Sequence, residues 1–174
     1  MVRSGRFCQI SSIFVRDTTN LMIGLTGNYE VKVDSKGRVR LPANLLQQLP
    51  EDMRNGGFVM NKGMMNCLRL YPKKQWEAVT QEMNRLSYFR KDESNFLRFF
   101  YQWASTVEKD TNERILIPKR LLEKVGIKED VTITAWHDVI EIWDTATYNA
   151  SIVEPENFAD MADEVWSRIN NAKS

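Results

Sequence analysis

Four cations crowd one short stretch of the chain: Lys32, Lys36, Arg38 and Arg40 in YEVKVDSKGRVRLP, residues 29–42. Like charges held this close repel one another, so a hairpin carrying them gains from a counter-charge supplied by another molecule. Arg can grip a phosphate or a guanine edge with two parallel N–H donors, and Lys adds a mobile point charge. This is chemistry for holding a polyanion. The plainer reading is a solvated face on which Asp34 and Arg38 tie the turn together.

Bond-making chemistry is scarce elsewhere. The single histidine, His137, stands in AWHDV at the end of a predicted strand, where a turn or core role suits it. One His with Cys8 and Cys67 cannot assemble a zinc site of the usual spacing. Neither a phosphate loop nor a dinucleotide glycine pattern occurs. The sequence predicts a protein that is not an enzyme and has no cofactor, no metal and no small-molecule substrate.

The elements that must position the cations appear twice. VKVDSKGRVRLPANLLQQL (31–49) matches VEKDTNERILIPKRLLEKV (107–125), pairing Asp34 with Asp110, Arg38 with Arg114, Pro42 with Pro118 and Leu46 with Leu122. Further on, CLRLYPKKQW (67–76) matches VIEIWDTATY (139–148). In each unit, apolar residues at every second position predict a half-buried strand, as at Tyr29, Val31 and Val33. SKGR is a turn in which Gly37 supplies the positive φ. A second strand returns with Val39 and Leu41 inward. Pro42 and Pro118 then open short helices, buried through Leu45, Leu46 and Leu49 in one copy and Leu121, Leu122 and Val125 in the other. Gly126 is predicted to end the second helix in a left-handed cap. Two more strands complete each β–β–α–β–β unit.

The expected organisation is α+β. Residues 1–21 form a disordered leader or an early start, with Met22 as first residue; 22–74 are the first unit and 104–150 the second. Residues 75–103 are a helical hairpin, with Asp92 or Ser94 capping its second helix and an aromatic stripe (Phe96, Phe99 or Phe100, Trp103) taken as core. Residues 151–174 are an amphipathic helix with Phe158, Met161, Val165 or Trp166, and Ile169 on one side. Duplication further suggests that the hairpins intertwine into one pseudo-twofold barrel.

Net charge is +1, but it is polarised: residues 22–74 carry +5, whereas 104–150 and 151–174 carry −3 each. No run of about 18 apolar residues could span a membrane, and two cysteines suit a reducing cytoplasm.

Comparing the copies sorts the cations. Asp34 and Arg38 persist as Asp110 and Arg114, which makes the pair the better candidate for a structural tie, with both jobs open to Arg38. Lys32, Lys36, Gly37 and Arg40 are replaced by Glu108, Asn112, Glu113 and Leu116. What differs is the better candidate for a task the first copy performs more strongly. Lys36 and Arg40 are therefore the cleaner candidates, on a ribbon narrow enough for a DNA major groove.

YEVKVDSKGRVRLP and DTNERILIPKRL, separated by a helical hairpin that begins LYPKKQWEAV, resemble the MraZ family of bacterial transcriptional regulators. The resemblance covers residues 22 to about 150 and supports Met22 as the usual start. It implies two tandem AbrB/SpoVT-like swapped-hairpin units assembled into a ring-shaped homo-oligomer. It implies sequence-specific binding of double-stranded DNA, at direct repeats in the chain's own operon promoter, within the cell-division and cell-wall gene cluster. A cytoplasmic protein associated with the nucleoid follows. The motif positions carried over are Asp34, Lys36, Gly37 and Arg38, with Asp110 and Arg114. Together with the hairpin reading, the DNA-binding set is Lys32, Lys36, Arg38, Arg40 and Arg114, with Asp34, Gly37 and Asp110 as structural motif. Glu113 departs from the family, which usually has glycine there. A second function class stays open: a protein-binding module of the antitoxin type, motivated by the acidic tail.

Overall fold

Alternation along the first strand decides which face is buried. In β1 (Leu25–Lys32), Leu25 is buried and Tyr29 and Val31 are half-buried, while Thr26, Asn28, Glu30 and Lys32 face outward. The computed structural model describes residues 24–152 and 156–171; the predicted leader 1–21, with Cys8, lies outside the described residues. After β1 the chain turns into β2 (Arg38–Arg40), then α1 (Ala43–Gln48), α2 (Glu51–Asn55), β3 (Phe58–Lys62) and β4 (Leu68–Pro72). The helices α3 (Lys73–Met83) and α4 (Lys91–Tyr101) follow. The second copy gives β5 (Ser105–Val107), β6 (Arg114–Leu116), α5 (Lys119–Val125), β7 (Asp130–His137), β8 (Val139–Asp144), α6 (Thr145–Ser151) and α7 (Phe158–Asn171).

Prolines set four helix starts. Pro42, Pro50, Pro72 and Pro118 each stand immediately before a helix, with φ between −61° and −50°. The ring fixes φ near the helical value, and the missing N–H is not needed at that position. Gly126 closes α5 at φ 72°, the left-handed cap that the sequence predicts.

The two copies interleave. β1 of the first pairs with β7 of the second, and β5 of the second pairs with β3 of the first. The main sheet runs β1-β7-β8-β4-β3-β5, every neighbour antiparallel. Read from either end, this order visits the same repeat positions. β2 and β6 form a separate two-stranded ribbon, with Val39 opposite Ile115. Neither sheet closes on itself: the strands form an open six-stranded sheet beside a two-stranded ribbon, and of the pseudo-twofold barrel expected from duplication the interleaving of the two copies is present without a closed sheet. One reason is length: β2 and β6 have three residues each, and beyond one another they meet only single bridges, Val39 to Val33 and Ile115 to Lys109.

Val39, Ile115, Val125, Val131, Ile133 and Ile142 are fully buried, in one apolar cluster drawn from both copies. Truncating a buried isoleucine such as Ile115 to alanine costs about 2–5 kcal/mol. Where the copies meet in the main sheet, Arg69 stands opposite Glu141. Their side chains pair at 3.2 Å and are 18% and 10% exposed, and Trp143 Nε1 donates to the other Glu141 oxygen. Cys67 is buried, which pushes its thiol up to about 12.

The helical hairpin departs from expectation in two ways. Neither Asp92 nor Ser94 caps α4: Arg90 precedes the helix, and Asp92 and Glu93 lie within its first turn. Glu93 instead accepts from Ser87 N in the preceding connection. The aromatic stripe is only partly core, because Leu97 is buried whereas Phe96, Phe100 and Trp103 are half-buried and Phe99 is 60% exposed. Among the described residues, no helix is long and apolar enough to cross a membrane.

Candidate nucleic-acid interface

Each hairpin tip is built around one aspartate. Asp34 Oδ1 accepts from Lys36 N and Arg38 N, both at 2.9 Å. Asp34 Oδ2 accepts from Arg38 Nε at 2.8 Å and pairs with Nη2 at 2.7 Å. Asp110 repeats the pattern with Asn112 N, Arg114 N, Arg114 Nε and Arg114 Nη2. The Asp34 carboxyl is pulled down to about 2, chiefly by the Arg38 backbone N–H and then by its guanidinium. For Asp110 the guanidinium of Arg114 comes first, and the carboxyl again sits at about 2. A carboxylate that accepts several hydrogen bonds is stabilised in its charged form.

The turn between aspartate and arginine needs a left-handed residue. Gly37 has φ 81°, and its N–H donates to Asp34 O. Glu113 takes the same place at φ 60°, and its N–H donates to Asp110 O. The missing glycine therefore does not change the turn. Backbone bonds then cross between the tips symmetrically, Leu41 N to Glu113 O and Ile117 N to Gly37 O, each at 2.9 Å.

The ribbon thus has one buried face, Val39 and Ile115, and one outer face. On the outer face Arg38 stands opposite Leu116, and Arg40 stands opposite Arg114. Arg38 and Arg114 are half-buried and held by their aspartates. Arg40 and Lys36 are exposed, and neither has a carboxylate partner among the described residues. Directly opposed like charges destabilise an antiparallel pair. Arg114 is neutralised locally and Arg40 is not, so Arg40 and Lys36 leave the first tip with positive charge available to an anion.

Lys32 behaves differently. Its ammonium lies 2.9 Å from Glu129 and 3.3 Å from Asp130, which raises its pKa, through the Glu129 hydrogen bond first. Both partners belong to the second copy, so Lys32 joins the copies at the end of β1. The predicted set is therefore brought together in part: Lys36, Arg38, Arg40 and Arg114 share the ribbon and its tip, and Lys32 is engaged elsewhere. Sequence reasoning passed over Ser35 and Thr111, exposed hydroxyl residues that begin the two turns. A hydroxyl there can donate to phosphate oxygen. The Asp-Ser and Asp-Thr doublets were the available signal.

Among the described residues, no group of three or more His, Cys, Asp or Glu is placed to hold a metal ion.

Comparison with known proteins adds to this geometry. A family model described as "MraZ protein, putative antitoxin-like" matches the chain twice, over residues 25–99 and 100–168. A protein of Christiangramia forsetii is 40% identical over 145 residues, covering 83% of this chain and 94% of its own. One from Flavobacterium psychrophilum is 36% identical over 148 residues, covering 84% and 94%. One from Cytophaga hutchinsonii is 31% identical over 140 residues, covering 80% and 92%. All three are named transcriptional regulator MraZ.

Proposed function

The chain belongs to the MraZ family, and on that footing we propose that it is a transcriptional regulator that binds double-stranded DNA through the tip of its first hairpin. The observation that carries this reading is the pair of exposed, unneutralised cations, Lys36 and Arg40, on a ribbon held rigid by Asp34 and Arg38. Relatives named as transcriptional regulators support the same conclusion. Lys36 and Arg40 contact phosphate and base edges. Arg38 acts mainly by fixing the turn and secondarily as a contact, and Arg114, opposite Arg40 and tied to Asp110, acts in the same two ways. Lys32, paired with Glu129 and Asp130, acts by joining the two copies behind the tip rather than by contact with DNA.

One tip makes few contacts and binds weakly. A ring-shaped homo-oligomer presents several tips, and direct repeats in the promoter convert weak contacts into avidity through effective concentration. The targets proposed from the family resemblance are repeats in the chain's own operon promoter, in the cell-division and cell-wall gene cluster, with the protein at the nucleoid. Each cation that displaces counterions from DNA makes binding steeply salt-dependent.

The test is binding of the native promoter fragment by Lys36→Ala/Arg40→Ala. Among the described residues these side chains have no ion pair, so circular dichroism and light-scattering mass should match the parent. Binding should fall roughly 100-fold, since each contact contributes about 1–3 kcal/mol. Undiminished affinity with the same salt slope would remove the first tip from the interface.

A further inference from the structure

Each tip rests on the short helix of the other copy. At the first tip Gly37 O accepts from Ile117 N at 2.9 Å, two residues before α5 begins. A Cβ placed on Gly37 would lie 3.5 Å from Leu122 Cδ1, so α5 packs beside the first tip. The second tip has the matching arrangement: Glu113 O accepts from Leu41 N, two residues before α1.

These helices differ as the tips do. In the repeat register, Lys119, Arg120 and Lys124 of α5 stand where α1 has Ala43, Asn44 and Gln48. The helix that carries cations is the one beside the cationic tip. The helix without them lies beside the tip that shows Asn112 and Leu116. Two separate stretches of sequence therefore bring positive charge to one end of the ribbon and withhold it from the other.

The chain itself uses two of the three cations. Arg120 donates to Gln102 O, Ala104 O and Ser105 Oγ and lies 6.0 Å from the Trp103 ring. Lys124 lies 5.1 Å from the same ring. Lys119 meets only Glu123 among the described residues, at 3.7 Å, with side chains 87% and 66% exposed. Water and salt screen such a pair, and it holds neither partner. Lys119 and Leu122 are three residues apart and share one face of the helix. Lys119 thus stands on the side of α5 that meets Gly37. Along the chain it is no more than about 7 Å from Ile117, the residue bonded to the first tip.

We propose that Lys119 belongs to the DNA surface: while Lys36 and Arg40 engage the duplex at the first tip, Lys119 of the second copy binds a backbone phosphate beside them. Phosphate contacts fix register and carry no sequence information, so the tip reads and α5 positions. Interleaving then has a use in binding, because neither copy alone holds the whole surface. The inference rests on the DNA-binding reading above and extends it to a helix of the other repeat.

The test uses the full chain with the native promoter fragment and a scrambled duplex of equal length, read by fluorescence anisotropy across a salt series. Lys119→Gln removes charge from an exposed side chain and should keep the parent's circular dichroism and melting temperature. Affinity for both duplexes should fall roughly fivefold at about 0.1 M salt, and the slope of log affinity against log salt should shrink by about one unit. Adding Ala43→Lys to that variant restores the net charge beside the second tip and should not restore binding. Full recovery in the double variant overturns the proposal, since net charge alone then suffices. A loss confined to the promoter fragment overturns the assignment to phosphate. Unchanged affinity and slope in Lys119→Gln, with Lys36→Ala/Arg40→Ala weakened, overturns this contact and leaves the first tip in place. Parental binding by every variant, Lys36→Ala/Arg40→Ala included, removes the DNA-binding reading and this inference with it.

Discussion

At the first tip Asp34 accepts from Lys36 N and Arg38 N at 2.9 Å, and at the second Asp110 accepts from Asn112 N at 2.9 Å and Arg114 N at 3.0 Å. The scaffolds agree bond for bond, and the side chains they display do not. The first tip shows Lys36 and Arg40 to solvent, and the second shows Asn112 and Leu116, the latter 55% exposed. Glu113 adds a carboxylate paired with Lys109. Duplication thus preserved the residues that make the turn and released those that face outward. The Asp–Arg tie is therefore a device for shape, and the functional weight moves to residues that the two copies do not share.

The largest test of this contrast moves the charge. Lys36→Ala/Arg40→Ala should lose roughly 100-fold in promoter affinity and about two units of the log affinity against log salt slope, whereas Asn112→Ala/Leu116→Ala should change affinity less than about threefold. Fluorescence anisotropy across a salt series reads both. The reverse graft, Asn112→Lys/Leu116→Arg, should raise affinity about tenfold if the second tip reaches DNA in the assembly, and unchanged affinity would confine contact to the first.

The shared scaffold makes opposite predictions. Both aspartates are depressed from 3.8 to about 2 in the folded protein. The folded state then binds fewer protons than the unfolded state, so their stabilisation is complete above about pH 4 and is lost as pH falls toward 2. Melting temperature should drop across that window, and Asp34→Asn and Asp110→Asn should each shrink the drop to a similar degree. Unequal effects would break the equivalence of the two turns.

The smallest effects concern the left-handed position. Gly37→Ala should cost about 1 kcal/mol, because a Cβ is strained at positive φ. Glu113→Gly should gain no more than about that, less the loss of the Lys109 pair. Denaturant midpoints at unchanged m-value measure both.

Much of this was legible before the coordinates. The duplicated Asp-x-x-x-Arg spacing located both tips, and periodicity located the strands and the helices opened by Pro42 and Pro118. Pairing across the chain was not legible. Lys32 looked like a free cation because Glu129 and Asp130 are about a hundred residues away in sequence. Arg38 and Arg40 look equivalent in a string, and only the ribbon register shows one tied and the other facing Arg114. The short helix α2 and the three-residue length of β5 lack the periodic signal that longer elements give. Glu113 shows that glycine is the usual solution to a left-handed turn, while a well-tied loop holds another residue there.

Arg69 and Glu141 are the same position of the two repeats, set face to face where the halves join. Had both copies kept either residue, two like charges would meet in a largely dry site. Fusion into one polypeptide freed this position to become a lock and its key. A half expressed on its own would meet its twin with like charges at this position, a cost that the joined halves do not carry.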